Sequence, residues 1–362
     1  MQREYAKHRE SGLKENTRMG EKRGTCASSR YRPKVNQYTQ LMKKKMVTMN
    51  SVPLPLHYFT KADFVWLHWF ENLAGKITTP IAVHFLKRCT KKGLKIIWNV
   101  HNKIPHETTD LYQVKYLMKQ LAEMSYKIVI HSKITTQMLE GLCENDESVF
   151  GKIVFVSHPH YIGAYGEQVN DNSLDNVVLK LGFFGAVKKY KNVELLITAV
   201  IELGFDDIEL NIYGLCTPKR YMKALKQLVA GNPNVKLHLK FIPDNDIPKV
   251  MASCHLFVLP YNLDSSLNSG ATILAFSYGR TVLSPNTGTL LDIEDKSLFF
   301  AYDYVDHENH KEELKEQITA IRAKYYGNYN GLLQVGESCK QYVSEKHSDE
   351  VVMKQLEQCF EL

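Results

Sequence analysis

The sequence has no apolar run near the roughly 20 residues that a membrane-spanning helix needs. Its first residues are charged and lack the apolar core of a signal peptide, so we expect a cytoplasmic protein. Cysteine is sparse, because seven are scattered through 362 residues and no two have C-x-x-C spacing. Free thiols are therefore expected, and neither a disulfide framework nor a zinc site is.

Two missing motifs exclude common enzyme classes. No G-x-G-x-x-G follows a predicted strand, which argues against a nicotinamide-dependent dehydrogenase. No G-x-S-x-G surrounds Ser265 or Ser266, so a hydrolase with a nucleophile elbow is excluded as well. The composition, 44% hydrophobic and 23% charged, is that of a folded globular protein, and the length suits two α/β domains.

The net excess of positive charge lies at one end of the chain. Residues 1–50 contain 13 Lys and Arg against 4 Asp and Glu, whereas the rest contains 33 against 35. No nucleic-acid recognition motif accompanies this cluster, so no nucleic-acid partner is expected. Residues 1–25 are predicted to be a solvated, partly disordered leader. Contact with the anionic inner face of the plasma membrane is a further hypothesis, which relies on the basic end and on Tyr31, Val35, Tyr38, Leu41 and Met42.

Apolar segments of strand length alternate with amphipathic segments of helix length from about residue 61 onward. They include a helix over 111–124, strands over 127–130 and 208–213, and a last strand over 281–283. Such alternation predicts parallel sheets with helices on both faces. The turn-forming stretch 169–176 divides the pattern into an N-terminal domain, residues 1–175, and a second domain, residues 176–344. Residues 345–362 are predicted to form an amphipathic helix that packs back on the N-terminal domain.

The beginning of the pattern is irregular. A helix-like segment over 31–42 has no apolar strand before it. Either the first strand is built from the weakly apolar residues around 25–29, or the edge of this sheet is incomplete.

Histidine, glycine and tyrosine stand where the predicted strands end. Ligands of parallel α/β sheets bind outside the carboxyl ends of the strands. Two sheets that face each other across a cleft would bring these ends together. The residues concerned are His68, His101, His131, His158, Gly185, Gly214 and Tyr261.

The segment FFGAVKKYKNVELLITA, residues 183–199, has the composition of a diphosphate site. An apolar strand ends at Gly185, a loop with Lys188, Lys189 and Lys191 follows, and a helix begins. Glycine lets a ligand approach the backbone, helix N–H groups point at it, and lysines neutralise it. The same residues also fit a solvated, lysine-rich connection between a strand and a helix.

Six segments spread over both halves of the chain resemble those of nucleotide-sugar glycosyltransferases with the two-domain GT-B fold, in the group-4-like family of polysaccharide biosynthesis. FFGAVKKYKN resembles the family's G-x-[IL]-R-x-Y-K-G segment, and WNVHNKIPHE its acceptor-domain H-N-x-x-x-H-E segment. WLHWFENL and VFVSHPHYIGAYG match strand ends of the same domain. FIPDNDIPKVMASCHLFVLPY and SSLNSGATILAFSYGRTVLSP resemble its C-terminal half. The resemblance covers about residues 30–345 and implies an α/β fold of two Rossmann-like domains facing across a cleft.

The resemblance implies a donor site in the second domain. A strand and a short helix cradle the nucleotide base, and a glycine-led helix points its N-terminus at the donor diphosphate. Lys188 and Lys191 stand at the family's usual arginine and lysine, and they are predicted to stabilise the departing nucleoside diphosphate. The donor-binding residues are expected to be Gly185, Gly214, Phe241, Ile242, Asp246, Tyr261, Asn268, Ser269, Gly270 and Ala271.

Acceptor contacts are expected in the first domain. His101 is predicted to be catalytic there, by positioning the acceptor hydroxyl or the sugar. The family implies retention of anomeric configuration without an enzyme nucleophile, whereas an inverting enzyme would use a general base, for which His101 is the first candidate. The other acceptor-binding residues are expected to be His68, Asn102, His106, His131 and His158.

The chain departs from the family pattern at the sugar. Many members carry a Glu-x7-Glu pair on the donor helix, but those positions are Ser266 and Leu274 here. Sugar recognition is therefore expected to differ, while main-chain N–H groups and the Ser269 hydroxyl are expected to hold phosphate. His255, where Asp is common, is interpreted as a detail of the fold.

Neither acidic cluster is interpreted as a metal site. Asp244-Asn245-Asp246 resembles the D-x-D motif of the other glycosyltransferase fold, but its place before a predicted helix favours an N-cap. Asp303, Asp306, His307 and His310 lie in a polar segment that we interpret as a loop. No metal is expected, and no cofactor beyond the nucleotide-sugar co-substrate.

The sequence thus predicts a glycosyltransferase that moves a sugar from a nucleotide-diphosphate sugar to a saccharide or lipid-linked saccharide in surface polysaccharide biosynthesis. Retention and metal independence are part of the prediction. Two alternatives stay open. The same fold serves nucleotide-sugar epimerases and phosphorylases. The missing glutamates and the irregular first strand also fit a catalytically inactive relative that binds a partner.

Overall fold

The computed structural model describes residues 23–28, 48–51, 63–104, 110–169, 174, 177–264 and 266–360, the first two ranges as backbone only. Twelve strands of these residues form two six-stranded sheets in which all paired strands run parallel. The first sheet contains β1 (Arg23–Ser28), β2 (Thr48–Ser51), β3 (Phe64–His68), β4 (Lys95–Asn99), β5 (Lys127–Ile130) and β6 (Ile153–Phe155). Its strand order is β2-β1-β3-β4-β5-β6.

The second sheet begins after the predicted boundary. It contains β7 (Leu179–Phe184), β8 (Ile208–Tyr213), β9 (Val235–His238), β10 (Leu256–Val258), β11 (Thr281–Pro285) and β12 (Phe300–Tyr302). The strand order is β12-β11-β10-β7-β8-β9, so β9 and β12 are its edges. The expected fold class, two Rossmann-like parallel sheets, is confirmed. The domain boundaries stay a prediction, because most of the stretch 169–176 lies outside the described residues.

Helices connect the strands, and three more follow β12. The helices of the first half are α1 (Thr78–Lys91), α2 (Leu111–Met124), α3 (Ile134–Cys143) and α4 (Glu147–Phe150). Those of the second half are α5 (Val193–Leu203), α6 (Lys219–Leu228), α7 (Ile247–Ala252), α8 (Gly270–Ser277), α9 (Gly288–Leu291), α10 (His307–Gly327), α11 (Gly331–Lys346) and α12 (Asp349–Phe360). No helix of the described residues is long and apolar enough to cross a membrane.

The last helix crosses back to the first sheet, as predicted. Its buried residues Val352, Leu356 and Phe360 join one core cluster with Phe64 and Trp66 of β3. The ring of Phe360 lies 4.6 Å from that of Phe64 and 5.6 Å from that of Trp66, between centroids. Apolar packing of this extent stabilises a docked helix more than its own propensity does.

Three expectations about elements were incomplete or wrong. The irregular first strand exists at Arg23–Ser28, and it is an inner strand, since β1 pairs with both β2 and β3. The strand at Thr281–Pro285 is not the last, because β12 pairs with it. The segment interpreted as a loop around Asp306 begins α10 instead, and the Asp306 side chain accepts a hydrogen bond from the Asn309 N–H at 2.9 Å.

Candidate active site

Four histidines form a row along the carboxyl edge of the first sheet. His68 ends β3, and His101, His131 and His158 follow β4, β5 and β6. Successive ring centroids are 5.3, 5.8 and 6.4 Å apart. The structure thus brings together four of the predicted acceptor-side residues. His106, the fifth histidine of that set, lies outside the described residues.

Two residues that the sequence analysis missed hold His101 in place. The side-chain nitrogen of Asn99 lies 3.0 Å from His101 Nε2 and 3.1 Å from His68 Nδ1, and Asn99 is fully buried. The Trp69 ring stacks on the His101 ring with centroids 4.1 Å apart. A polar residue inside the apolar strand KIIWN was the sequence signal for Asn99, since a buried amide needs partners.

The row is neutral near pH 7. Burial lowers the pKa of His68 to about 3 and that of His131 and His158 to about 4. Burial, helped by the neighbouring histidines, also holds the pKa of His101 well below its usual range. Neutral imidazoles offer one hydrogen-bond donor and one acceptor each, which suits hydroxyl groups better than phosphates.

Two glycines from different strands lie side by side where the lysine loop of the second sheet begins. Gly185 follows β7 and Gly214 follows β8, both with positive φ (139° and 143°). A Cβ on Gly214 would collide with the carbonyl group of Gly185, so this close approach requires glycine. The loop continues through Lys188 to a short 3-10 turn, Lys189–Lys191, and α5 begins at Val193.

Lys191 connects this loop to the start of α8. Its ammonium nitrogen lies 3.9 Å from the centroid of the Tyr261 ring, and burial lowers its pKa. The Tyr261 hydroxyl in turn accepts a hydrogen bond from Ser269 Oγ at 3.4 Å. Lys191, Tyr261 and Ser269 therefore form one cluster at the point where the donor diphosphate is expected.

Ser269 acts as the N-cap of α8. Its Oγ accepts from the N–H of Thr272 at 3.1 Å, and its own N–H donates to Thr289 Oγ1 at 2.8 Å. The expected contact of the Ser269 hydroxyl with phosphate thus competes with a capping role that the sequence analysis did not foresee. The first N–H groups of α8, from Gly270 and Ala271, have no acceptor within the helix.

The start of α8 faces His131 and His158 across a cavity of about 130 Å³, whereas His68 and His101 do not line it. A Cβ on Gly270 would lie 3.4 Å from His158 Nε2 and 3.5 Å from the Tyr161 hydroxyl, so the two halves approach closely. Both polar atoms of the Asn268 side chain are buried here without a hydrogen-bond partner. The walls include His131, His158, Asn268, Ser269, Thr289 and Asp292.

Three contacts near the cavity join the two halves. The N–H of Lys133 donates to Asp292 Oδ2 at 2.9 Å, and Lys103 Nζ donates to the Leu263 carbonyl at 2.8 Å. Asn102 forms an isolated antiparallel bridge with Ser266. Asn102, predicted to bind acceptor, and Ser266, at a position where the family carries glutamate, are thereby placed side by side.

The residues expected at the nucleotide base lie away from this cavity. Phe241, Ile242 and Asp246 follow β9, an edge strand of the second sheet, and none of them lines the cavity. The Phe241 side chain is 66% exposed. Nearby, the Tyr213 ring stacks on His238 with centroids 4.5 Å apart. Their assignment to the base stays a prediction.

The two acidic segments belong to helices or to the turns that lead into them. Asp244–Asp246 forms a 3-10 turn that leads into α7, and Asp246 stands at the predicted N-cap position, although its side chain makes no capping hydrogen bond. His310 is buried against Tyr302, whose hydroxyl lies 3.0 Å from its Nε2. No group of three or more His, Cys, Asp and Glu in the described part of the chain could hold a metal ion.

Comparison with known proteins agrees with this architecture. Residues 178–323 match the family model described as Glycosyl transferases group 1. Anabaena HepE, solved in complex with UDP and glucose, is 11% identical over 93% of this chain and 99% of that chain, with a TM-score of 0.66. No curated protein sequence matches the chain.

Two further solved structures share the fold. A glycosyltransferase from Rickettsia africae is 11% identical over 95% of this chain and 99% of that chain, with a TM-score of 0.65. Sucrose-phosphate synthase from Thermosynechococcus elongatus is 13% identical over 85% of this chain and 75% of that chain, with a TM-score of 0.64. Residues 178–323 therefore match a glycosyltransferase group 1 domain, and the chain as a whole has the two-domain GT-B fold that it shares with these solved structures.

Proposed function

We propose that this enzyme transfers a sugar from a nucleoside-diphosphate sugar to a saccharide or lipid-linked saccharide. The observation that carries the proposal is the cavity in which the start of α8, with Asn268 and Ser269, faces His131 and His158. A helix N-terminus suits a diphosphate, and neutral imidazoles suit sugar hydroxyls. The fold shared with HepE, which was solved with UDP and glucose, supports a UDP-sugar as the first donor to test.

The diphosphate is proposed to lie between the first N–H groups of α8 and the lysine loop. Gly270 and Ala271 supply main-chain donors, while Lys188 and Lys191 supply positive charge as the nucleoside diphosphate departs. Gly185 leaves open space beside the backbone, whereas Gly214 allows the Gly185 carbonyl to approach. Losing one such group is expected to cost about 2–4 kcal/mol of transition-state stabilisation.

The sugar is proposed to be recognised by Asn268 in place of the family's two glutamates. Leu274 cannot hydrogen-bond a hydroxyl, and the short side chain of Ser266 carries no carboxylate. The Asn268 amide has both polar atoms buried beside the cavity without a partner. An amide can accept from one hydroxyl and donate to another, and leaving it unpaired costs free energy.

The acceptor hydroxyl is proposed to approach His101 from the first sheet. Asn99 and Trp69 fix this ring, so it can orient a hydroxyl with little reorganisation. We propose retention of the anomeric configuration, in keeping with the resemblance to group-4-like enzymes. If the product is inverted, His101 is the residue to test as general base.

Metal independence and a role in cytoplasmic surface-polysaccharide biosynthesis belong to the same proposal. Lys188, Lys191 and the start of α8 provide the charge that a divalent ion provides elsewhere. Transfer is expected to continue in excess chelator, and the anomeric configuration of the product, read by NMR coupling constants, decides between retention and inversion. The membrane contact predicted for the basic N-terminal residues lies outside the described part of the chain and stays a prediction.

The decisive experiment compares two lysines of one loop. Thermal unfolding is measured with UDP-, GDP-, TDP- and ADP-sugars for the wild type, Lys191→Ala and Lys189→Ala. Lys189 is exposed in the same turn and serves as the matched control. We expect one donor class to stabilise the wild type and Lys189→Ala but not Lys191→Ala, with turnover in Lys191→Ala lower by about a hundredfold to a thousandfold.

Other outcomes would point elsewhere. Normal turnover in Lys191→Ala would remove its diphosphate role. Interconversion of the donor sugar without acceptor would favour the epimerase alternative. Stabilisation by no donor would contradict the proposed site.

A further inference from the structure

One surface of the first domain exposes large apolar side chains on two neighbouring helices. Ile77 and Ile81, at the start of α1, are 80% and 65% exposed, and Tyr112 of α2 is 75% exposed. The two helices pack side by side. We call this surface the α1–α2 face; its apolar residues are Ile77, Ile81, Leu111, Tyr112 and Tyr116, and the exposed cations on or beside its two helices include Lys76, Lys87, Arg88, Lys91, Lys92 and Lys115.

The charge around α1 has a single sign. Between Glu71 and Glu107 the sequence contains seven Lys and Arg and no Asp or Glu. Three of those lysines, Lys76, Lys87 and Lys91, are exposed on or beside α1. Cations interspersed with exposed isoleucine and tyrosine are the combination that lies in the headgroup layer of an anionic bilayer.

We infer that the α1–α2 face docks on an anionic lipid bilayer. The isoleucines and tyrosines enter the interface, and the lysines pair with lipid phosphates. A protein partner of ordinary composition would need its own acidic patch, whereas an anionic bilayer matches both the apolar residues and the cations along α1.

The position of the face fits this docking. Helices α1 and α2 follow β3 and β4, so both begin at the sheet edge that holds His68 and His101. A bilayer on this face lies next to the acceptor side of the cleft. Only this link to a lipid-linked acceptor rests on the proposed function, because docking can be measured without any transfer reaction.

Helix α6 of the second domain offers a matched control. It exposes four cations, Lys219, Arg220, Lys223 and Lys226, and contains no Asp or Glu. The exposed apolar residues near it, Leu215 and Leu228, stand at opposite ends and form no patch. If charge alone drove binding, α6 would serve as well as α1.

The test is co-sedimentation of the full-length protein with vesicles. Vesicles of phosphatidylglycerol and phosphatidylcholine are compared with vesicles of phosphatidylcholine alone, at low and at physiological salt. The variants are K76E/K87E/K91E on the α1–α2 face, I77S/I81S on the same face, and K219E/K223E/K226E on α6. Because every substituted residue is exposed, all variants are expected to unfold at the wild-type temperature, and this is checked in the same samples.

We expect the wild type and the α6 variant to bind the anionic vesicles and the α1 charge variant to lose binding. Each removed cation is expected to weaken binding about fivefold. I77S/I81S is expected to weaken binding at physiological salt, where apolar insertion dominates. Wild-type binding by both α1–α2 variants, or an equal loss in the α6 variant, would overturn the inference. So would equal binding to neutral and anionic vesicles.

Discussion

Single polar residues decide how the histidine row is built. Asn99 is the only amide in the strand KIIWN, and it reaches the rings of both His68 and His101. Asn99 was not predicted to have a role, whereas Ser269 was expected to bind phosphate and instead caps α8. The role of a single polar side chain therefore depends on which neighbouring groups satisfy its hydrogen-bonding atoms.

Replacing Asn99 with alanine is expected to destabilise the protein. The substitution leaves ring nitrogens of His68 and His101 without the amide and opens a small void, so the free energy of unfolding should fall by about 1–3 kcal/mol. Urea unfolding followed by circular dichroism measures it. Asn245→Ala, at an exposed position, is the control and should change little. An unaltered unfolding curve for Asn99→Ala would show that the amide does not hold the rings.

Helices at the end of the chain were the least well predicted elements. The segment from Asp306 is polar, yet Leu314, Ile318, Ile321 and Tyr325 recur at helical spacing and are buried. The predicted final helix corresponds to α12, which begins at Asp349, whereas α11, Gly331–Lys346, was not predicted. The crossing itself was predicted correctly, from amphipathic spacing alone.

Shortening a buried side chain of α12 is expected to destabilise the first domain. Leu356 is fully buried between α12 and the first sheet, so Leu356→Ala should lower the free energy of unfolding by about 2–5 kcal/mol. All three tryptophans, Trp66, Trp69 and Trp98, lie in or next to strands of that sheet, so their fluorescence reports this domain. Gln358→Ala on the exposed side of α12 is the control. Equal midpoints for both variants would mean that the crossing helix does not stabilise the sheet.

The whole molecule is expected to lose stability as the pH falls from about 6.5. Histidines whose pKa is lowered in the folded state, such as His68 and His131, take up protons when the chain unfolds but not while it is folded. Stability therefore rises with pH between the folded and unfolded pKa values, by about 1.4 kcal/mol per pH unit for each histidine. Burial raises the pKa of Glu71 to about 7. Its carboxyl group keeps a proton in the folded state that it loses on unfolding, so its effect on stability cancels that of about one histidine.

Urea unfolding at pH 5 and pH 7 measures this dependence. The wild type should be more stable at pH 7, and His68→Gln should show a difference smaller by about 1.4 kcal/mol per pH unit. His84→Gln, at an exposed position on α1, is the matched control. A wild type equally stable at both values would contradict the neutral histidine row.

Much of the architecture followed from local patterns. Strands such as Lys127–Ile130 and Ile208–Tyr213 and the helix Leu111–Met124 have the predicted limits, because periodicity and turn residues are local properties. β1 and β2 carry little apolar signal, and their place is determined by pairing with partners far along the chain. The residues predicted for the base lie beyond an edge strand, and their role awaits the donor experiments.

The sequence by itself determined two parallel α/β sheets, the crossing helix and the set of strand-end residues, since these depend on composition and spacing over a few turns of chain. Only the tertiary structure decided that Asn99 joins His68 to His101, that Lys191 lies on Tyr261, and that Gly270 approaches His158. These contacts join segments separated by tens to over a hundred residues. Close packing of whole elements, and not any local preference, brings such atoms within reach of one another.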